Sequence, residues 1–165
     1  INANDKRTLY EFSFNDVDGK TYLLSQHKNK VVLLVNVASQ CGFTKQYADL
    51  QTLWDKYKSK NFVVIGVPSN DFGNQEPGTN AEIKSFCETN FNINFPIMEK
   101  VTVKGKNAHP VYLWAKESYG SATEPKWNFH KILIDKKGKI NDTFISTTNP
   151  QSEKVVKKIE ELINN

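Results

Sequence analysis

The sequence predicts a small α/β domain with a mixed central sheet and helices on both faces of that sheet. Two buried strands are separated by an amphipathic helix, and such a crossover unit places its two strands parallel. A later pair of apolar segments flanks a short turn, which indicates an antiparallel hairpin. With 165 residues the chain has the length of one compact domain, so we expect a single domain over 1–165.

The N-terminal part predicts a hairpin that precedes the first central strand. Apolar residues from Tyr10 to Phe14 alternate with polar ones, Asp18-Gly19 supplies a turn, and Tyr22 begins a second alternating segment. The run 31–38 is rich in β-branched residues and is interrupted only by Asn36. A run of this kind is typical of a strand that is covered on both faces.

The middle of the chain predicts a helix, a second strand and a second helix. After Thr44, apolar and aromatic residues recur every three or four positions up to Tyr57, as in a helix buried along one stripe. A buried strand follows at 62–67, and a loop rich in turn formers runs over 68–78. The segment Thr79–Glu82 has the spacing of a capping box, so the second helix should start there.

The last third of the chain predicts two more helices and a hairpin between them. A short helix should follow Pro110, and the strands 132–134 and 140–145 should flank a turn at 135–138. For the final helix, Asn149-Pro150 supplies an N-cap and a first helical residue. The apolar positions of that helix recur at helical spacing: Val155, Ile159 and Leu162.

The lysines behind the net charge of +4 are scattered over the chain, without a dense basic cluster among interleaved aromatic residues. We therefore expect no nucleic-acid partner. The longest apolar run, 31–37, is far shorter than the roughly 20 residues that span a bilayer, so no membrane insertion is expected. The chain opens with Ile1 rather than methionine; we expect a cytoplasmic protein, with an exported or organellar form as the alternative.

The two cysteines, Cys41 and Cys87, could form a structural disulfide, remain two buried thiols or act as a redox pair. Three histidines, His27, His109 and His130, show no ligand spacing to either cysteine. We therefore expect neither a metal site nor a cofactor.

The position of Cys41 suggests chemistry. It lies just past the end of the first central strand and just before a helix, and open α/β sheets bind ligands beyond the carboxyl ends of their strands. Unpaired N–H groups at a helix N-terminus favour the thiolate and make the sulfur nucleophilic, and Gly42 leaves room for a substrate. The alternative is that Cys41 is an inert small apolar residue at a strand end.

Several separated motifs resemble those of the glutathione peroxidase family. The segment Asn36–Thr44 is similar to the family's peroxidatic motif, with cysteine where some members carry selenocysteine. The loop Phe72–Gly78 resembles its glutamine loop, and Trp127–Phe129 resembles its tryptophan–asparagine motif. The segments Phe95–Met98 and Val101–Gly105 match as well, so the resemblance covers nearly the whole chain.

The resemblance implies a thioredoxin-like fold with an added N-terminal hairpin, and a thiol peroxidase acting on hydrogen peroxide and organic or lipid hydroperoxides. It also implies a catalytic tetrad of Cys41, Gln75, Trp127 and Asn128. The last three carry neutral donors that can stabilise a thiolate and the negative charge developing on a peroxide oxygen, without a histidine base. Taken alone, they could equally be a solvated loop residue, a core aromatic and a turn residue.

Two positions near these motifs depart from the family pattern. Many relatives carry glutamine where this chain has Asp71, and glutamate where it has His130. Neither residue belongs to the predicted tetrad. Asp71 adds a negative charge close to the glutamine loop, which leaves its effect on the thiolate open.

The resemblance also implies a resolving role for Cys87, since a sulfenic acid must be reduced by another thiol before it oxidises further. Some relatives place this cysteine one residue later, where this chain has Glu88. The alternative is core filling, because Cys87 shares a helical stripe with Ile83. A disulfide needs Cα atoms within about 7 Å, so we expect the helix that begins near Thr79 to unwind on oxidation.

The partner implied for recycling the enzyme is thioredoxin or a related dithiol, with glutathione the less favoured donor. The stretch between Gly105 and Trp127 is short compared with that of tetrameric glutathione-using relatives, so we expect a monomer. The rival hypothesis is a peroxide sensor or redox relay, in which Cys41 passes its oxidation to a client protein.

Overall fold

The structure is a computed structural model and describes residues 4–165, so Ile1 lies outside the described residues. Along these residues the chain forms its strands and helices in the following order: β1 (Ser13–Asn15), β2 (Thr21–Leu23), β3 (Val31–Val37), α1 (Gln46–Tyr57), β4 (Phe62–Pro68), α2 (Asn80–Phe91), α3 (Pro110–Tyr119), β5 (Lys131–Ile134), β6 (Ile140–Phe144) and α4 (Glu153–Ile163).

The predicted N-terminal hairpin is present as the antiparallel pair β1 and β2. Its first strand is shorter than the alternating pattern indicates, because Tyr10 lies in a 3-10 turn, Leu9–Glu11, that precedes the strand. The Tyr10 hydroxyl donates a 2.8 Å hydrogen bond to the backbone carbonyl of Lys136, and Leu9 is fully buried. These two contacts fix the turn against the main domain.

The central sheet has the strand order β4-β3-β5-β6. Strands β3 and β4 run parallel and are joined through α1, whereas β5 is antiparallel to both β3 and β6. The sheet is therefore mixed, and the crossover unit and the late hairpin are both confirmed. All residues of β3 and β4 are buried, in keeping with their continuous apolar sequences.

Side chains of β3 alternate between two apolar cores, one on each face of the sheet. Leu33 and Val35 join a core with residues of α1, α2 and α4, whereas Val32 and Leu34 join a core with residues of α3. Helices therefore cover both faces, as predicted. No helix along residues 4–165 is both long enough and apolar enough to cross a membrane.

Helix α2 is held to the domain by few buried side chains. Only Ile83 and Cys87 are buried, fewer than in α1, α3 or α4. The predicted capping box is present: the Thr79 hydroxyl accepts from the Glu82 backbone N–H, and the Glu82 carboxylate accepts from the Thr79 backbone N–H. The helix is thus well capped yet weakly packed, which places it among the less stable parts of the fold.

The predicted start of the last helix is wrong. Helix α4 begins at Glu153 with Ser152 as its N-cap residue, three positions after Pro150. The Asn149 side chain instead accepts a 2.7 Å hydrogen bond from the backbone N–H of Gln151. This local turn competes with helix capping, which explains the difference. The predicted apolar stripe is nevertheless buried: Val155, Ile159 and Leu162.

Candidate active site

Cys41 lies in a tight turn between β3 and α1, at the carboxyl end of the central strands. The Thr44 hydroxyl accepts from the Cys41 backbone N–H at 2.9 Å and donates to the Ala38 carbonyl at 2.9 Å, which ties both ends of the turn together. The Cys41 side chain is partly exposed, and a side chain built at Gly42 would meet nothing within 4 Å. The thiol can therefore be reached from solvent.

The donor in contact with the sulfur belongs to this turn. The backbone N–H of Phe43 points at Cys41 Sγ with an N···S distance of 3.3 Å. Helix α1 begins only at Gln46, later than the start near Thr44 that the sequence indicates. The sequence predicts that the N–H donor to the sulfur comes from a helix N-terminus. In the structure it comes from the backbone amide of a turn residue, Phe43.

Gln75 and Asn128 are brought together beside the Cys41 turn. Asn128 Nδ2 donates a 2.9 Å hydrogen bond to Gln75 Oε1, and the Gln75 backbone carbonyl accepts one of 3.0 Å from the Gln40 backbone N–H. Because its side-chain oxygen is engaged, Gln75 has its amide NH2 group left as a donor. Asn128 is fully buried and Gln75 only partly, so neither is a freely solvated loop residue.

Trp127 stands at the surface beside the glutamine loop. Its side chain is 36% exposed, and its ring centroid lies 5.9 Å from that of Phe72. Gly73 adopts a φ of +65°, and a Cβ at this position would lie 3.0 Å from the Trp127 ring. The left-handed backbone and the close approach of the indole therefore favour glycine at this position. Trp127 is therefore a surface residue packed on the glutamine loop and not a core aromatic.

Asn36 positions the tryptophan–asparagine segment. It is fully buried in β3, its Nδ2 donates to the Trp127 carbonyl at 3.0 Å, and its own carbonyl accepts from the Phe129 N–H at 2.7 Å. Phe129 has a left-handed backbone with φ of +63°. In the sequence, Asn36 interrupts an otherwise apolar strand and opens the motif that contains Cys41. That break, a carboxamide in an otherwise apolar central strand, was the signal of a structural role.

A family model for glutathione peroxidase matches residues 9–116, about two thirds of the chain. The chain belongs to the glutathione peroxidase family. It is 42% identical to the hydroperoxy fatty acid reductase of Synechocystis sp., covering 99% of this chain and 100% of that protein. It is 45% identical to a glutathione peroxidase-like peroxiredoxin of Saccharomyces cerevisiae, covering 94% of this chain and 96% of that protein.

Solved structures agree with this assignment. The crystal structure of Trgpx in its apo form is 37% identical, covers 98% of each chain and superposes with a TM-score of 0.79. A putative thioredoxin from Neisseria meningitidis is only 21% identical but superposes with a TM-score of 0.66 over 93% of this chain and 88% of that chain. The glutathione peroxidase chain therefore has the predicted thioredoxin-like fold, and it is a peroxidase.

The two departures from the family pattern have separate structural explanations. In this glutathione peroxidase, the Asp71 carboxylate accepts a 2.7 Å hydrogen bond from the Val103 backbone N–H. This bond connects the glutamine loop to the segment that precedes α3. His130 is buried, and burial together with the neighbouring Lys131 lowers its pKa to about 4. The ring is therefore neutral at pH 7 and adds no charge to the site.

Cys87 is buried and forms no disulfide with Cys41. Both cysteines are free, and Cys87 is buried in the core beneath α2, whereas Cys41 packs against the edge of that core. Burial raises the pKa of the Cys87 thiol to about 11, with the neighbouring Tyr47 hydroxyl opposing the shift. The Cys87 thiol is thus protonated and shielded from solvent in this conformation.

Proposed function

We propose that this glutathione peroxidase reduces hydrogen peroxide and organic hydroperoxides, including those of lipids, through Cys41. The observation that carries the proposal is the partly exposed thiol in a turn that supplies its own N–H donor, with the Gln75–Asn128 pair joined to the same turn. The names of the Synechocystis and Saccharomyces relatives, a hydroperoxy fatty acid reductase and a peroxiredoxin, support the same reaction.

In the proposed reaction, Cys41 Sγ attacks the distal oxygen of the hydroperoxide, the O–O bond breaks and an S–O bond forms. The products are a sulfenic acid on Cys41 and an alcohol, or water when the substrate is hydrogen peroxide. Gln75, Trp127 and Asn128 contribute neutral donors that can stabilise the charge on the departing oxygen. Their neutral, fixed dipoles suit this task because they need no reorganisation when the charge develops.

Resetting the enzyme requires a second thiol, and Cys87 is the other cysteine of the chain. Its attack on the sulfenic acid would form a disulfide between Cys41 and Cys87 and release water. A thiol that is buried in a helix must first leave it, because attack and disulfide formation need the two side chains in contact. The weak packing of α2, in which only Ile83 and Cys87 are buried, supports a helix that can open.

Peroxide treatment is expected to accelerate hydrogen exchange in α2. Once a disulfide holds Cys87 outside its core position, the amides of Asn80–Phe91 lose their helical hydrogen bonds, so we expect at least about tenfold faster exchange. Hydrogen-exchange mass spectrometry of reduced and peroxide-treated protein measures this. Peptides from α3 serve as the internal control, since that helix packs on the opposite face of the sheet. Unchanged exchange in α2 after oxidation would contradict the opening.

The reductant we propose is thioredoxin or a related dithiol protein. A disulfide is reset most directly by thiol–disulfide exchange with a dithiol, which passes through a mixed disulfide and releases both cysteines reduced. The chain itself is proposed to act as a monomer in this cycle.

A coupled assay with thioredoxin, thioredoxin reductase and NADPH tests the function. We expect steady NADPH oxidation on adding hydrogen peroxide or a fatty-acid hydroperoxide, and turnover with glutathione and its reductase at least about tenfold lower. If the wild-type protein consumed one equivalent of peroxide and then showed no turnover with either reductant, the proposed peroxidase cycle would be contradicted. That result would favour a sensor that oxidises a client protein.

A further inference from the structure

We infer that a groove beside Trp127 binds the tail of an organic hydroperoxide and prefers a tail that carries a hydroxyl group, with Ile145 as the apolar contact and His130 as the hydrogen-bond acceptor. The inference rests on the proposed function and names the part of the substrate that the site recognises beyond the peroxide group. The groove has a volume of about 310 Å³, at the lower end of the range for ligand sites in proteins. It lies between the segment that precedes β5 and the loop that follows β6.

The groove is bordered by apolar side chains that reach the surface. Three large apolar side chains are exposed along residues 4–165, and two of them line this groove: Trp127, 36% exposed, and Ile145, 64% exposed. Exposed apolar side chains that are scattered singly need no explanation, whereas a cluster of them in a concave surface marks a binding site. The apolar clustering therefore points to a ligand with a hydrocarbon part.

A buried hydrogen-bond acceptor lies in the wall of the same groove. His130 is only 5% exposed; its ring is hydrogen-bonded to the Ala122 backbone, and its Nε2 has no partner along the described part of the chain. The neutral ring has one N–H and one nitrogen lone pair. A backbone carbonyl can only accept, so the N–H points at Ala122 and the lone pair of Nε2 is left. A buried acceptor without a donor costs free energy, which a hydroxyl on a bound tail would recover.

The charges around the groove favour an uncharged tail. Glu124 and Lys126 both line it and offset each other, while the His130 ring is neutral at pH 7. The Glu124 carboxylate is already engaged, because it accepts from the Gly105 backbone N–H at 3.2 Å and lies 3.5 Å from the Lys116 ammonium. A neutral tail enters such a groove without the desolvation cost of a charged group.

Trp127 connects the groove to the residues of the predicted tetrad. A Cβ built at Gly73 would lie 3.0 Å from the Trp127 ring and 3.5 Å from the Gln75 side-chain nitrogen, so the indole and the amide flank the same point. The Gln75 carbonyl in turn accepts from the backbone N–H of Gln40, the residue before Cys41. In the proposed pose, the peroxide group lies at Cys41 and the tail extends along the indole into the groove.

The test measures the second-order rate constant of Cys41 oxidation at pH 7 in Cys87→Ser protein, by rapid quenching with a thiol-alkylating reagent and mass spectrometry. The substrates are hydrogen peroxide, a long-chain alkyl hydroperoxide, and analogues of that compound with one hydroxyl at successive carbons of the chain. We expect the best hydroxylated analogue to react about fivefold faster than the plain compound, the effect of one neutral hydrogen bond. This comparison needs no substitution in the groove.

Two variants separate the apolar contact from the hydrogen bond. Ile145→Ser should lower the rate constants for all the long-chain compounds about tenfold and leave that for hydrogen peroxide unchanged, because hydrogen peroxide has no tail. His130→Phe keeps a ring but removes the acceptor, so the hydroxylated analogue should react no faster than the plain compound. Leu23→Ser is the matched control: it removes the third exposed apolar side chain, which is 56% exposed and does not line the groove, and should change none of the rate constants.

Several results would overturn the inference. One is an Ile145→Ser protein whose long-chain rate constants are unchanged or fall by the same factor as that for hydrogen peroxide. Another is a preference for a hydroxyl that is absent from the parent protein or persists in His130→Phe. If Ile145→Ser, with both cysteines present, slowed only the thioredoxin-dependent step, the groove would be a docking surface for the reductant instead. Failure of the proposed function would look different, because Cys41 would then react with none of the hydroperoxides.

Discussion

Replacing Cys41 with serine is expected to abolish peroxide reduction. We expect the loss to be at least about a thousandfold, because a serine hydroxyl without an adjacent base is a weak nucleophile and cannot pass through a sulfenic acid. Turnover in the thioredoxin-coupled assay and the consumption of a single equivalent of peroxide should both fall to the uncatalysed rate.

The fold should tolerate this change. Cys41 is partly exposed and only packs against the edge of a core, so the cost in unfolding free energy is expected to be about 1 kcal/mol or less. Thermal unfolding of the variant measures it. Cys87→Ser is the reciprocal control and should still consume one equivalent of peroxide. Substantial turnover by a folded Cys41→Ser protein would show that another group carries the chemistry.

Most of the fold could be predicted because its signals are local in the sequence. The apolar runs of β3, interrupted only by Asn36, and of β4, and the three- to four-residue spacing in α1 each correspond to an observed element. The errors lie at element ends, where side chains compete for backbone groups. Asn149 forms a turn of its own instead of capping α4, and the Glu11 carboxylate accepts from the Thr8 backbone N–H at the 3-10 turn that contains Tyr10.

The site could be predicted as a set of residues but not as a network. The motifs identify Gln75 and Asn128, yet their hydrogen bond joins residues 53 positions apart, and no local pattern encodes it. Asn36 was missed as a positioning residue for a related reason. It is a polar residue whose importance lies in being buried, and burial depends on packing that only the folded chain reveals.

The environments of the two cysteines differ in the way that a two-step reaction requires. Cys41 is reachable and receives a backbone hydrogen bond at its sulfur. Cys87 is enclosed, and its raised pKa keeps it unreactive while α2 is folded. In the proposed cycle, peroxide therefore meets one reachable thiol, Cys41, while Cys87 stays enclosed. The disulfide step of that cycle would then require α2 to open at each turnover.

Replacing Cys87 with serine is expected to remove thioredoxin-supported turnover while sparing the reaction with peroxide. The sulfenic acid on Cys41 then has no partner thiol within the chain, so the enzyme stops after one equivalent. We expect the coupled rate to fall by at least about a hundredfold, since the sulfenic acid can be reset only by slower reactions with thiols from solution. Mass spectrometry should find one added oxygen on Cys41.

A buried serine could also disturb α2, and a matched variant separates this effect from the loss of the thiol. Ile83 is buried one helical turn before Cys87, and Ile83→Val should destabilise the protein by about 1 kcal/mol while keeping both thiols. It should retain most of its turnover with thioredoxin. Full thioredoxin-dependent activity in Cys87→Ser would remove the resolving role. Equal losses in both variants would assign the defect to the helix, because only one of them lacks the sulfur that the proposed disulfide needs.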